Sequence, residues 1–332
     1  MRHKLEWRRY SRRFIKTLAV SGYDWATREG IIVKLTSEDG RIGFGEIAPV
    51  PWFPVESLEA AERRLAGLGE YWEDTKEVAD NSDFPCTSFG LRCASGWLNG
   101  FQPVHEQLHI AGLLPAGKEA VKRVEGLLDE GFSTFKWKIG VDDRESEWRW
   151  AEQIFRLIHG RGVLRLDANG GLSSEDFEGW CRFLGEFPVE FVEQPLPVGK
   201  EREAFDIGRN YSISVAFDES VCKLESLERL SQEFSDAVFV IKPSQTGDPL
   251  RLSRWVVEHP LIRRIYSSAF ETCIGFSHVF HLAALDTHAA EACGFGGVAL
   301  MENDGLGLAS SGPLLPTNSI QPIDFQTLWN QL

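Results

Sequence analysis

Short apolar runs alternate with amphipathic segments along most of the chain after residue 105. The runs predict strands at Leu108–Leu113, Thr134–Ile139, Val163–Asp167, Glu190–Glu193, Ile213–Asp218, Ala237–Lys242, Arg264–Ser268 and, from a weaker pattern, Gly296–Leu300. The segments between them predict helices that include Lys118–Glu130, Glu145–His159, Ser174–Gly185 and Leu224–Glu233. Alternating strands and helices are typical of βαβ units and a parallel sheet. Seven or eight such units predict an α/β fold with a barrel of the TIM type.

The first hundred residues have a different pattern, which predicts an α+β region. Two alternating segments, Ile31–Leu35 and Ile42–Glu46, flank the turn sequence Ser37–Gly40 and predict a hairpin. The proline-rich stretch Pro49–Pro54 predicts an irregular loop, because closely spaced prolines interrupt helices and strand ladders alike. Ser57 then fits the N-cap of a helix.

The N-terminal segment is basic, with Arg2, Lys4, Arg8, Arg9, Arg12, Arg13 and Lys16. Leu5, Trp7, Tyr10 and Phe14 interleave with these charges. This alternation favours a strand, at or near a sheet edge, whose basic side chains face water. It favours a strand over a transit peptide or a nucleic-acid-binding arm.

Bulk composition excludes several classes of function. The chain has 332 residues and a net charge of −14, which disfavours nucleic acid or an anionic membrane surface as a partner. No apolar run reaches the length of a membrane-spanning helix, and no secretory signal is evident. The six cysteines form no C-x-x-C pair, which favours buried thiols in a reducing compartment. We therefore expect a cytoplasmic protein.

Ionisable residues stand at the ends of five successive apolar runs. They are Lys138, Asp167, Glu193, Asp218 and Lys242, and the intervals between them are 29, 26, 25 and 24 residues. One strand, loop and helix takes about this length, so the five groups occupy equivalent positions on successive strands. The carboxyl ends of barrel strands form one face, where active sites lie. The spacing therefore predicts that these side chains converge.

The three carboxylates of Asp167, Glu193 and Asp218 would repel one another in a shared cleft without a cation. An all-oxygen ligand set without histidine or cysteine suits Mg²⁺. A single acidic residue at a strand end is more often a helix cap or part of a surface ion pair. Three in succession, flanked by lysines, favour a metal site.

Lys136 and Lys138 are two positions apart and share one face of a strand. Phe135 and Trp137 take the other face, which should pack against the outer helices. Lysines inside a barrel are costly unless they are paired or functional. Neighbouring ammonium groups and a metal ion disfavour the charged form, so a lysine here can serve as a base.

The set Lys136-x-Lys138, Asp167-x-Asn169, Glu193-Gln-Pro, Asp218-Glu-Ser and Lys242-Pro resembles the muconate-lactonizing subgroup of the enolase superfamily. The resemblance covers nearly the whole chain. It implies a (β/α)₇β barrel at residues 101–311, an α+β capping domain at residues 1–100, and a C-terminal segment at residues 312–332 that returns to the cap. Gln194 stands where some members of the subgroup have glutamate.

A narrower match involves Thr27–Gly30, Gly45–Phe53, Tyr266–Thr272 and Gly275-Phe276. These segments are similar to the o-succinylbenzoate synthase family, although Trp52 stands where relatives often have glycine. The resemblance implies syn dehydration of 2-succinyl-6-hydroxy-2,4-cyclohexadiene-1-carboxylate to 2-succinylbenzoate. That reaction belongs to menaquinone and phylloquinone synthesis.

The resemblance also implies a role for each site residue. Mg²⁺, with Mn²⁺ as a substitute, would be held by Asp167, Glu193 and Asp218. Lys138 would remove the proton, Lys242 would steady the resulting anion, and Lys136 would position Lys138. The candidate contacts to the small carboxylate substrate are Arg28, Arg165, Asn169, Ser267 and Ser268. For Arg165 a buried ion pair with a metal-ligand carboxylate is an equal alternative, and for the two serines a strand-end turn is. For Arg28 the alternative is a charge that flanks the hairpin.

Two rival functions use the same scaffold. N-acylamino acid racemases and dipeptide epimerases also need both strand-end lysines, so the lysines do not separate the three reactions. Dipeptide epimerases usually carry an Asp-x-Asp near the eighth strand, whereas the region Gly294–Leu300 contains no acid here. A catalytically inactive barrel is disfavoured because every lysine and ligand position is filled. The oligomeric state is left open.

Overall fold

The computed structural model describes residues 2–20, 23–73, 82–97, 105–288, 291–307, 312–316 and 324–332. The strands are β1 Arg2–Val20, β2 Tyr23–Ser37, β3 Ile42–Ile47, β4 Tyr71–Glu73, β5 Gln107–His109, β6 Gly112–Leu113, β7 Thr134–Lys138, β8 Val163–Asp167, β9 Val189–Glu193, β10 Val215–Phe217, β11 Val238–Ile241, β12 Arg264–Tyr266 and β13 Leu314–Pro316. The α-helices are α1 Leu58–Leu68, α2 Pro85–Trp97, α3 Glu119–Asp129, α4 Arg144–Ile158, α5 Ser174–Leu184, α6 Glu201–Asn210, α7 Leu224–Glu233, α8 Pro243–Thr246, α9 Pro249–Glu258, α10 Cys273–Leu285 and α11 Phe325–Gln331. Among the residues described, no helix is both long and apolar enough to cross a membrane.

The N-terminal sheet is antiparallel, with strand order β3-β2-β1-β4. The predicted hairpin is confirmed, since β2 and β3 pair from Ile31↔Ile47 to Thr36↔Ile42. Gly40 lies in the turn with φ +84°, a conformation that glycine adopts without a steric penalty. The predicted helix after Ser57 is also confirmed, because the Ser57 hydroxyl accepts a hydrogen bond from the Ala60 amide at the start of α1.

The basic N-terminal segment forms β1, as the alternation predicts, and Leu5, Tyr10 and Phe14 are buried. Two details differ from the expectation. β1 lies between β2 and β4 rather than at the sheet edge. Arg12 is buried and donates to both carboxylate oxygens of Asp304, at 2.7 and 3.0 Å. A buried guanidinium needs such a bidentate partner.

The second sheet is parallel, with strand order β12-β11-β10-β9-β8-β7-β6. Cys293 and Gly294 close it into a barrel, since Gly294 bridges to Ser267 after β12 and Cys293 bridges to Ile110 between β5 and β6. The predicted barrel is therefore confirmed, but the place of its last strand was wrong. Residues Gly296–Leu300, expected as that strand, form a 3₁₀ helix.

The barrel has two separate apolar cores. Inward-facing side chains fill its centre: Phe191, Ala216, Val238, Val240 and Ile265. The opposite face of each strand packs against the outer helices, and Phe135 and Trp137 of β7 belong to this larger core. This division confirms the two-residue alternation expected for β7 and leaves Lys136 and Lys138 on the inner face. All six cysteines are free and buried, as expected.

A glutamate of the N-terminal sheet caps a barrel helix. The Glu46 carboxylate accepts hydrogen bonds from the amides of Thr272, at 3.0 Å, and Gly275, at 2.9 Å, in the first turn of α10. Tyr10 also donates its hydroxyl to Glu46, at 2.5 Å. A Cβ on Gly275 would lie 2.6 Å from a Glu46 oxygen, so glycine is required for this approach. A negative charge at a helix N-terminus is stabilising.

The C-terminal segment contacts both regions. In β13, Leu314 pairs with His109 of the barrel. In α11, Trp329 and Phe325 contact Phe44 of β3, with ring centroids 6.1 and 6.2 Å apart. The predicted boundary between cap and barrel, near residue 100, lies outside the described residues.

Candidate active site

The five predicted residues lie at the carboxyl end of the barrel on neighbouring strands. Lys138, Asp167 and Glu193 are the last residues of β7, β8 and β9, and they are aligned in register with one another. Asp218 follows β10 directly, and Lys242 follows β11. The spacing of the sequence therefore translates into side chains on one face of the barrel.

Lys136 lies between two of the carboxylates. Its ammonium nitrogen is 2.8 Å from Asp167 Oδ2 and 2.7 Å from Glu193 Oε1. Burial alone would lower the pKa of Lys136, but the charges of Asp167 and Glu193 outweigh it and raise that pKa above its ordinary value. Lys136 is therefore held as a cation.

Lys242 is paired in a similar way on the other side of the site. Its ammonium donates to Asp218 Oδ2 and lies 5.4 Å from the centroid of the Phe53 ring. Burial lowers the pKa of Lys242, whereas Asp218 and Glu193 raise it, and the net direction is upward. Like Lys136, Lys242 is held in its charged form.

Lys138 differs from the other two lysines. Burial lowers its pKa, the positive charge of Lys136 lowers it further, and Asp167 and Glu219 only partly compensate. Of the three site lysines, Lys138 is the one whose pKa is lowered, whereas the pKa values of Lys136 and Lys242 are raised. A neutral amine is the form that can accept a proton.

Glu193 is buried beside the other two carboxylates of the cluster. Burial and the charge of Asp167 raise the pKa of Glu193 to about 8. Glu193 is 1% exposed, so water does not relieve this repulsion. A buried set of carboxylate oxygens at this spacing fits a hard divalent cation such as Mg²⁺.

The carboxylates of the cluster are bound to lysines in this structure. Within the described ranges, no group of three or more histidine, cysteine, aspartate and glutamate side chains is arranged to hold a metal ion as it stands. Lysine ammonium groups contact the carboxylates instead, with Lys136 on Asp167 and Glu193 and Lys242 on Asp218. The carboxylate oxygens fit Mg²⁺ chemically. In this structure the lysine ammonium groups balance the negative charge of these carboxylates.

Three of the candidate substrate contacts lie near this cluster. Asn169 donates its side-chain amide to Glu219 Oε1 at 3.1 Å, and its backbone amide to Asp167 Oδ1 at 3.0 Å. Ser267 and Ser268 follow β12 and are buried, and the Ser267 hydroxyl donates to the Gly294 carbonyl at 3.1 Å. Both serines therefore lie where the barrel closes.

The structure does not bring Arg165 to the cluster. Its guanidinium donates to Glu190 Oε2 at 2.8 Å and to the Ala292 carbonyl at 2.6 Å. These groups line a cavity of about 360 Å³. Thr134 and Val163, the first residues of β7 and β8, also line it, so the cavity lies at the amino end of the strands. Arg165 is buried in an ion pair, which agrees with one of its two predicted roles. Its partner is Glu190, however, and not one of the three predicted metal ligands.

Arg28 is buried beneath the proline-rich loop. It donates to the Pro49 carbonyl at 2.7 Å and to the Ala48 carbonyl, and its guanidinium carbon lies 5.4 Å from the centroid of the Trp25 ring. Trp25 in turn contacts Trp52 and Phe270, with centroid distances of 4.9 and 5.4 Å. Arg28 thus supports an aromatic cluster beside the site.

Sequence reasoning missed the part that Glu219 takes in this site. Glu219 is buried, and its Oε2 has no hydrogen-bond partner among the described residues. Burial and the charge of Asp218 raise the pKa of Glu219 to about 8. The 3₁₀ turn that follows Asp218 brings Glu219 within reach of Asn169, whereas strict strand alternation would turn it away.

Gln194 links the loops that follow β9 and β10. Its side-chain oxygen accepts from the amides of Asp218, at 3.1 Å, and Ser220, at 3.2 Å. Its side-chain nitrogen donates to the Leu196 carbonyl and the Ser220 hydroxyl, each at 2.9 Å. Glutamine can accept the first two hydrogen bonds and donate the other two, because its amide has an acceptor oxygen and a donor nitrogen.

Replacing Gln194 with methionine is therefore expected to lower the free energy of unfolding by about 1–3 kcal/mol, because buried polar groups lose their partners. Urea unfolding followed by circular dichroism measures this loss. Gln232→Met, at an exposed position of α7, is the matched control. Equal stability of the two variants would contradict the role given to Gln194.

Comparisons with known proteins agree with this architecture. Residues 4–98 match the family model "MenC, N-terminal domain", and residues 119–259 match "Enolase C-terminal domain-like". The chain is 30% identical to an o-succinylbenzoate synthase of Thermosynechococcus vestitus over 98% of both chains. It is also 30% identical to one of Edwardsiella ictaluri, over 78% of this chain and 79% of the relative.

Two solved structures extend the comparison. An o-succinylbenzoate synthase from Thermosynechococcus elongatus, complexed with Mg in its active site, matches with a TM-score of 0.84 and 29% identity over 99% of this chain and all of that one. The L-Ala-D/L-Glu epimerase of Bacillus subtilis matches with a TM-score of 0.80 and 19% identity over 94% of this chain and 95% of that one. The second match shows a shared fold only.

Proposed function

The chain belongs to the o-succinylbenzoate synthase family of the enolase superfamily, and we propose that it dehydrates 2-succinyl-6-hydroxy-2,4-cyclohexadiene-1-carboxylate to 2-succinylbenzoate. It is an enzyme of the carbon–oxygen lyase class. The proposed reaction would serve the synthesis of menaquinone or phylloquinone. The observation that carries the proposal is the 30% identity to an o-succinylbenzoate synthase over 98% of both chains, because the group of three lysines and three carboxylates fits all three candidate reactions.

In the proposed reaction, Lys138 removes the proton on the ring carbon next to the carboxylate. Its lowered pKa makes Lys138 easier to deprotonate than an ordinary lysine, which suits a proton acceptor. Lys138 then returns the proton to the hydroxyl group that leaves, so one molecule of water departs from the face on which Lys138 lies. The ring becomes aromatic, which makes the overall reaction favourable.

Lys242 and Lys136 act as fixed cations in this scheme. Lys242, held charged by Asp218, faces the ring from the side of β11 and stabilises the negative charge that develops on it. Lys136 stays between Asp167 and Glu193, and its positive charge lowers the pKa of Lys138. Preorganised charges of this kind need no rearrangement during the reaction.

Asp167, Glu193 and Asp218 would hold Mg²⁺, or Mn²⁺ in its place. When bound, the ion would supply Lewis-acid stabilisation of the charge on the substrate carboxylate. Two features support this assignment: the all-oxygen donor set and the raised pKa of Glu193. The related structure from Thermosynechococcus elongatus contains Mg in its active site.

Asn169, Ser267 and Ser268 remain proposed substrate contacts, because they lie at the same end of the barrel as the lysines. We do not retain Arg165, whose guanidinium is bound to Glu190 and Ala292. Arg28 is proposed as a support for the loop above the site, since both terminal nitrogens of its guanidinium donate to backbone carbonyls of the loop.

The test is an assay of the purified protein with the cyclohexadiene substrate and Mg²⁺. We expect the ultraviolet absorbance of the diene to fall as the aromatic product forms. N-acylamino acids and dipeptides, assayed for racemisation in parallel, probe the two rival reactions. Racemisation without dehydration would replace the proposed function by that of a racemase or epimerase.

A further inference from the structure

Gln245 joins the barrel to the proline-rich loop of the N-terminal region. It lies in α8, three residues after Lys242, and is fully buried. Its side-chain oxygen accepts from the Val50 amide at 3.0 Å, and its nitrogen donates to the Ala48 carbonyl at 2.8 Å. One side chain therefore pairs with two backbone groups of the loop, as a neighbouring strand would.

The remaining contacts of Gln245 are also satisfied. Its nitrogen donates to the Ser244 hydroxyl at 3.1 Å, and its oxygen lies 3.6 Å from the Cys86 sulfur, which donates to it. Ser244 donates in turn to Glu271. A fully satisfied buried network of this kind makes the local arrangement rigid. Any movement would leave buried polar groups without hydrogen-bond partners and without access to water.

A second side chain, from β2, also binds the loop backbone. Arg28 donates to the Ala48 and Pro49 carbonyls, and the Phe53 amide donates to the Val50 carbonyl at 3.1 Å. The Ala48 carbonyl thus accepts from both Arg28 and Gln245. We define the segment held in this way, residues 48–53, as the fixed loop.

The fixed loop places an aromatic ring against a site lysine. Phe53 is 8% exposed and packs with Val50, Cys222 and Ala269, and its ring centroid lies 5.4 Å from the Lys242 ammonium. The position of the ring depends on the loop backbone. That backbone is tied by Gln245 to the turn that begins at Lys242 itself.

We infer that Gln245 is a positioning residue that keeps the fixed loop closed against Lys242, so that the loop is a permanent wall of the active site and not a lid that opens in each turnover. The consequence for catalysis rests on the proposed function. The rigidity of the loop does not, because it follows from the hydrogen bonds alone.

Amide hydrogen exchange of the wild-type protein tests the rigidity without substrate. The Val50 amide, whose acceptor is Gln245, should exchange as slowly as the amides of the barrel strands. Gln245→Met retains the side-chain volume but removes both hydrogen bonds, and it should speed exchange at Val50 by at least about 10-fold. Gln232→Met should leave it unchanged. Fast exchange at Val50 in the wild type would overturn the inference even if no variant folds.

Steady-state kinetics test the effect on the reaction. Gln245→Met is expected to lower kcat by about 10–100-fold with a smaller change in KM, because a small displacement near the reacting groups has an effect of this size. Gln245→Glu, which keeps the acceptor for Val50, should restore part of the loss. Wild-type kcat in a folded Gln245→Met protein would contradict the positioning role. A wild-type protein inactive on the cyclohexadiene would refute the proposed function, while the exchange data would still decide the nature of the loop.

Discussion

Replacing Lys138 with alanine is expected to reduce dehydration by about 100–10,000-fold while the fold is retained. Loss of a general base typically costs two to four orders of magnitude. The fold should survive because the Asp167 carboxylate keeps its partner Lys136, at 2.8 Å. The measurements are kcat by product absorbance and the midpoint of thermal unfolding by circular dichroism.

A second variant, with a matched control, distinguishes a role of Lys138 as a base from a role as a cation. Lys138→Arg keeps a positive charge but provides no neutral amine at physiological pH, so it should be as inactive as the alanine variant. Lys122→Ala, on the exposed surface of α3, is the matched control and should be fully active. Substantial activity in Lys138→Arg would show that the side chain acts as a cation and would require another residue as the base.

Removal of divalent cations is expected to abolish turnover, and addition of Mg²⁺ to restore it. Binding of the ion to the folded state alone should also raise the unfolding temperature, with a stabilisation of about 2.7 kcal/mol at a concentration 100 times the dissociation constant. Differential scanning calorimetry with chelator and with Mg²⁺ measures this shift independently of activity.

The metal assignment to individual residues is tested by Asp218→Asn, which should lose most of the thermal shift produced by Mg²⁺. Asp236→Asn, at an exposed turn, is the matched control and should retain it. An unchanged shift in Asp218→Asn would exclude Asp218 as a ligand. Turnover in excess chelator would exclude a role for the ion in the reaction.

Much of the fold followed from the sequence because parallel strands impose a regular spacing. Lys138, Asp167 and Glu193 end consecutive strands, and their alignment in register is the direct result of equal strand–helix units. The position of the last strand could not be predicted, because only the isolated bridges of Cys293 and Gly294 close the barrel. Two residues are too few to give a periodic pattern.

The site was predictable in its charged residues and less so in their supports. Arg165 shares the inner face of β8 with Asp167, but its long side chain runs to Glu190 near the start of β9, and sequence position does not specify that direction. Gln245 contacts Ala48 across 197 residues of sequence. Only the folded chain brings such partners together, and neutral amides leave no charge pattern that would reveal them.

The capping of α10 by Glu46 has an evolutionary consequence. A recombination event that replaced the N-terminal sheet by one without an acid at the position of Glu46 would leave the amides of Thr272 and Gly275 buried without their acceptor. Each buried donor left without a partner costs about 1–3 kcal/mol, which is a large share of the net stability of a typical domain. We therefore expect an exchanged N-terminal sheet to be tolerated only when it brings its own acid to the position of Glu46.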